Sequence, residues 1–136
     1  MLIEIEKDTY LNIKNVAFLT INEKKFGYTA IGSQKIRYVD FGFISRDDFI
    51  DLFKGENTKQ FIGLNYMGEN IYINVEAIIK VQFEAENDGI KAHIWFVNDE
   101  APFIFVSSKD EEFIDKFIKE TEEKLGEVKA QYVDHF

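Results

Sequence analysis

The stretch FISRDDFIDLFK, residues 43–54, returns in altered form as FVSSKDEEFIDKF, residues 105–117. Each copy ends an apolar run at a serine and then supplies a carboxylate three residues on, Ser45 with Asp48 and Ser108 with Glu111. That is capping-box spacing, in which the serine oxygen and the acid each take a backbone N–H at a helix start. A first helix is expected over residues 46–54, stopping at Lys54-Gly55, with Phe49, Ile50, Leu52 and Phe53 as a wide apolar side. A second is expected over 109–125, where Phe113, Ile114, Phe117, Ile118 and Leu125 recur at helical spacing with Glu and Lys opposite. The echoed Phe-Ile-Asp-x-Phe then works as a stripe by which a helix covers a sheet, once in each half.

The similarity continues outward from that pair. Tyr10 and Asn12 match Tyr72 and Asn74, and Phe41, Phe43 and Ser45 match Phe103, Phe105 and Ser107, all at a spacing of 62 residues. Tyr28 and Ala30 fall on Ile90 and Ala92 at the same spacing. Two additional residues after the serines carry Phe49, Ile50, Asp51 and Phe53 onto Phe113, Ile114, Asp115 and Phe117. An ordered series of matches along a whole unit signals internal duplication. The expected fold class is α+β: a tandem duplication of an antiparallel β-meander followed by a helix, giving two sheets with two helices. The 136 residues read as a single domain of two repeats, 1–55 and 61–125, with a C-terminal tail over 126–136.

Within each repeat a short segment (LIEI; FIGLNY) leads through a polar turn (EKDT; MGEN) into YLNI or IYINV, and then into AFLTI or IIKVQF. These read as consecutive antiparallel neighbours. Asp88-Gly89 lies between two alternating apolar runs, a strong hairpin signal because both turn residues accept positive φ.

Period-2 counting assigns the strand faces. Ile79, Val81, Phe83 and Ala85 share one side, with Ile78, Lys80, Gln82 and Glu84 on the other. In the first repeat Ala17, Leu19 and Ile21 face inward, while Val16, Phe18 and Thr20 face outward, Phe18 standing where the second repeat has Lys80. Ile90, Ala92, Ile94 and Phe96 oppose His93, Trp95 and Val97. A sheet with one helix layer leaves its second face in water, so a second apolar face requires a cover: the sister repeat, another subunit or a ligand. Val16, Phe18, His93, Trp95 and Val97 are therefore the candidate interface residues.

Residues 64–119 also carry a family resemblance. The run GENIYINVEAIIKV, a strand pair and then IFVSSKDEEFIDKFIKE resemble the small FlbD-like proteins associated with flagella. Tandem sheet-plus-helix units are also similar in architecture to PUR and Whirly-type nucleic-acid binders, which implies a single-stranded nucleic-acid alternative.

Composition limits the function classes. A chain that is 46% hydrophobic and 15% aromatic has material for a real core. It has no cysteine, which excludes disulfides, thiolate metal sites and cysteine nucleophiles. No basic-then-apolar leader and no apolar run of membrane-spanning length is readable, so a cytoplasmic protein without membrane association is the expectation. Twenty-five acidic against 16 basic residues give a net charge of −9, which repels phosphate backbones and makes nucleic acid an unlikely partner. No nucleophile elbow, P-loop, dinucleotide fingerprint or HExxH helix is present. Glu84, Glu86 and Asp88 read as a charged hairpin end, and neither they nor His93 and His135 form an EF-hand or other metal pattern.

No catalytic, metal or cofactor-binding residue is assigned, and no cofactor is expected. The sequence favours a small acidic, non-enzymatic binding or assembly protein that uses an apolar sheet face, or its C-terminal YVDHF, against a protein partner or a second copy in a homodimer. The alternatives are a nucleic-acid binder stacking bases on Tyr10, Phe18, Tyr28, Tyr38 and Trp95, and a ligand binder or enzyme with a pocket between the repeats.

Overall fold

The computed structural model describes residues 2–33, 35–55, 58–66, 68–86, 89–97, 103–108, 119–120, 123 and 131–132. The chain divides into two compact units, residues 1–74 and 75–136. Among the described residues, strands dominate both.

The first unit opens with a hairpin of β1 (Leu2–Glu6) and β2 (Thr9–Asn12), whose turn places Asp8 at φ 59°, a conformation that aspartate tolerates. Asn12 ends β2 by accepting a hydrogen bond from the Lys14 amide at 3.2 Å, which starts a 3-10 turn over Ile13–Asn15. Then follow β3 (Val16–Ile21), β4 (Lys25–Ala30), β5 (Arg37–Asp40), α1 (Arg46–Asp51, extended by a 3-10 turn to Lys54), β6 (Phe61–Tyr66) and β7 (Glu69–Asn74). Ser45 caps α1 as its spacing predicts, accepting from the Asp48 amide at 3.2 Å.

The larger sheet of this unit has the order β5-β4-β3-β7-β6, antiparallel throughout. Here the structure corrects the meander reading. β2 and β3 do not pair, and neither do β7 and β8; in each case a 3-10 turn intervenes, and β3 takes β7 as its second neighbour, Phe18 opposite Ile73 and Ile21 opposite Asn70. The buried Asn74 side chain explains the seam, since its Nδ2 donates to the Val16 carbonyl at 3.0 Å and to the Lys14 carbonyl at 3.4 Å. A side-chain amide that bonds two carbonyls, the Val16 one buried, ties the end of β7 to the start of β3.

One face of this sheet is closed by α1. Phe49 is fully buried and stacks on Phe26 at 4.2 Å between ring centroids, and Phe53 stacks on Tyr72 at 4.3 Å and meets Phe61 edge-on at 5.3 Å. The helix stripe expected from the sequence is therefore the one that docks. Tyr72 can lie across the sheet because its cross-strand neighbour is Gly63, where a Cβ would stand 2.9 Å from the tyrosine ring. Burial raises the Tyr72 phenol pKa, an effect opposed by the charges of Lys54 and Arg46.

The second unit contains β8 (Ile78–Glu86), β9 (Gly89–Phe96), β10 (Phe103–Ser108) and β11 (Gln131–Tyr132) in the order β10-β9-β8-β11, with β11 parallel to β8 and the other pairs antiparallel. A 3-10 turn over Val75–Ala77 precedes β8. The expected hairpin is present, with Glu86 opposite Gly89, so Gly89 lies in the strand; Asp88 is outside the described residues. The second expected helix falls largely outside them too, although Lys119, Glu120 and Glu123 have helical backbone.

Both long hairpins carry a β-bulge. Pairing slips between Val16 and Phe18 in β3, and between Ile78 and Lys80 in β8, 62 residues further on. An extra residue on one strand reverses the face assignment beyond it. Val16 consequently belongs to the helix-side core with Leu19 and Ile21, on the face opposite Phe18, where the sequence reading put the two together. The same slip leaves Ile79 exposed at 66%, whereas alternation had assigned it to the buried face with Val81. Matching the hairpins on their bulges sets Trp95, opposite Lys80, where Thr29 stands opposite Phe18, a spacing of 66. Set on their bulges in this way, the two hairpins also place Phe96, opposite Ile78, level with Ala30, opposite Val16, and the arms of the second hairpin are longer.

Asn74→Ala is expected to cost about 1–3 kcal/mol by removing the buried bond to the Val16 carbonyl, measured as a lower urea midpoint at unchanged slope. Asn12→Ala, which removes a solvent-exposed cap, should cost about 1 kcal/mol or less.

Candidate functional site

Three of the five candidate interface residues lie on one sheet face. In the second unit, Ala92, Ile94 and Phe96 are buried on one side of β9, while His93, Trp95 and Val97 alternate to the other, as expected. Cross-strand pairing brings Lys80 opposite Trp95, Gln82 opposite His93 and Glu84 opposite Lys91. Lys80 Nζ sits 4.0 Å from the centre of the indole ring, a cation–π contact, and the His93 imidazole lies nearly parallel to that ring at 6.0 Å and 21°.

His93 Nε2 is 3.5 Å from Glu84 Oε2. Among the described residues this buried nitrogen has no hydrogen-bond partner, so its approach to Glu84 is proximity without a hydrogen bond. At the end of the strip Val97 is 36% exposed, its amide donating to the Ala77 carbonyl at 2.8 Å, and the bulge pushes Ile79 into solvent beside it. The strip is thus half-buried Trp95 between Lys80 and His93, bordered by two exposed aliphatics. Period counting finds Trp95 and His93. It misses Ile79, because the signal for the bulge is only its recurrence 62 residues after the first one.

The other two candidates behave differently. Val16 is 1% exposed and Phe18 4%, both covered within the chain. Phe18 lies in a cross-strand row with Thr29, Ile73 and Ile62, all of them buried. They cannot form the exposed ridge on which a dimer through the first repeat would depend. The stacking set is dispersed as well: within the larger sheet of the first unit, Tyr28 and Tyr38 alternate to opposite faces, Phe18 is buried, and Tyr10 is on the separate hairpin.

An open groove of about 560 Å³ lies in the first unit, lined by Asn22, Lys24, Lys25, Asp40 and Arg46 among others. Among the described residues, no three His, Asp or Glu side chains converge as metal ligands, and no helix is long and apolar enough to cross a membrane. No family profile matches the chain, and comparison with curated proteins and with solved structures found no match.

Proposed function

We propose that this chain is a non-enzymatic, tandemly duplicated binding module whose docking surface is the outer face of β8 and β9, and that the surface takes a protein partner, in the first instance a second copy. The observation that carries this reading is the half-buried Trp95 strip with Ile79 and Val97 exposed at its end. A broad aromatic ring, stiffened by neighbours and edged with aliphatic and cationic groups, is the composition of an interface hot spot and its rim. The recurrent bulge and the paired asparagines, Asn12 and Asn74, support duplication. Duplication followed by divergence then accounts for why one outer face holds Phe18 and the other Lys80 and Trp95. A cytoplasmic or flagellar setting, implied by the FlbD-like resemblance, belongs to the same proposal.

Trp95 is the only tryptophan, so its emission reports on this face alone. Raising the concentration through the micromolar range should shift the emission to shorter wavelength while sedimentation shows a rising mass. Ile79→Lys, at an exposed position, should suppress both changes and leave the melting temperature nearly unaltered. Constant mass and constant emission in the wild type would remove the self-association form of the proposal. A second reading is favoured by Lys80 and Lys91 sharing the strip with Trp95 and His93, an arrangement suited to base stacking. Quenching of Trp95 by a single-stranded oligonucleotide at about 0.15 M salt would select it.

A further inference from the structure

The groove in the first unit is built around Asn22. Its side-chain Oδ1 accepts from both the Lys24 and Lys25 amides at 2.9 Å, and its own amide donates to the Lys25 carbonyl at 3.0 Å. The Phe41 amide donates to the Lys24 carbonyl at 2.9 Å, which fixes the same turn from the strand β5 side. The Asn22 carbonyl meanwhile accepts from Arg46 Nε at 3.2 Å. One residue therefore holds two lysines and an arginine, drawn from positions 24, 25 and 46, around a single opening.

The charges in this opening are not equivalent. Lys25 faces Asp40 across the strand pair and lies 4.6 Å over the Tyr38 ring, which itself rests against Gly27, where a Cβ would come within 2.8 Å of it. Lys25 and Asp40 bring opposite charges to the same opening. Arg46 is anchored through Nε, and among the described residues its one ion pair is from Nη1 to the freely exposed Asp47 carboxylate, at 3.9 Å. A pair at that separation with one partner in bulk water holds little energy. The guanidinium edge thus remains able to receive two oxygens, beside Lys24 and with Glu23 as the opposing charge. The volume falls within the range of small-molecule sites. In a chain with net charge −9, three of the 16 basic residues at one groove run against the overall field.

We infer that this groove binds a small organic anion, a phosphate or carboxylate group lying on the Arg46 guanidinium edge with Lys24 as second contact. The site shares no residue with the face assigned above to protein docking, so either proposal can fail without the other. The test is titration of the full chain with inorganic phosphate and, in parallel, with malonate, followed by amide and Arg Nε NMR shifts at about 10 mM ionic strength, where screening is weak. The expected result is saturable shifts confined to residues 22–25 and 46, and which anion gives them identifies the headgroup. Lys24→Gln, which leaves every hydrogen bond of the turn in place, should weaken binding several-fold, and Arg46→Gln at least tenfold. Arg46→Lys should recover only part of the loss, because it restores charge without the planar edge. Shifts scattered over lysines elsewhere, affinities unchanged in Lys24→Gln and Arg46→Gln, or no saturable shift with either anion would overturn the inference.

Discussion

Phe18→Lys is expected to leave little folded protein. Phe18 is 4% exposed in a row with Thr29, Ile73 and Ile62, which are 3%, 0% and 0% exposed. The substitution gives up the transfer energy of a buried aromatic side chain and places an ammonium group among apolar neighbours. The two effects together exceed about 4–5 kcal/mol, the range reached by the most damaging single substitutions. Total stabilities are about 5–15 kcal/mol, so the variant should unfold at or near room temperature. Phe18→Leu keeps the site apolar and should cost about 1–2 kcal/mol, which separates the loss of shape from the burial of charge. Circular dichroism melting of the three proteins is the measurement. Wild-type melting together with a reduced sedimenting mass in Phe18→Lys would show that the ring is covered by a second copy instead.

Phe49→Ala should be the most damaging truncation on the helix side. Phe49 is fully buried, stacked on Phe26 at 4.2 Å, with Phe53 and Phe41 at 5.6 and 6.0 Å. Large-to-small changes at such positions cost about 3–5 kcal/mol, because aromatic neighbours cannot close the void. α1 is only six residues before its 3-10 extension, too short to persist without tertiary support, so loss of this anchor should release it from the sheet. The expected readout is a melting temperature lower by on the order of 10–20 °C. Phe43→Ala is the control: at 55% exposure it should change stability by less than about 0.5 kcal/mol.

These contrasts show how far local sequence patterns reach. Capping spacing and helical periodicity are local, and they identified the Ser45 cap and the Phe49 and Phe53 stripe. Alternation identified the two sides of β9. It failed at Val16 and Ile79, since a bulge adds one residue without altering composition, and every face assigned across it is then reversed. It also could not show that β3 selects β7, because backbone hydrogen bonds are indifferent to separation along the chain; the asparagine that secures the choice, Asn74, looks in sequence like its more exposed counterpart Asn12. The Asn22 groove was illegible for the same reason, its arginine coming from 24 residues away.

The pairing of β3 with β7 has a consequence for synthesis. β4 follows β3 at once, but the residues that close the other edge of β3 lie 49 positions later, Thr20 donating to the Glu69 carboxylate. At elongation rates of about 5–20 residues per second, a nascent chain carries that edge open for roughly 2–10 s. An apolar strand with unpaired amides and carbonyls is a template for intermolecular pairing. The interval in which this protein is most prone to aggregate is therefore set by translation speed between β3 and β7, and slow codons there would lengthen it.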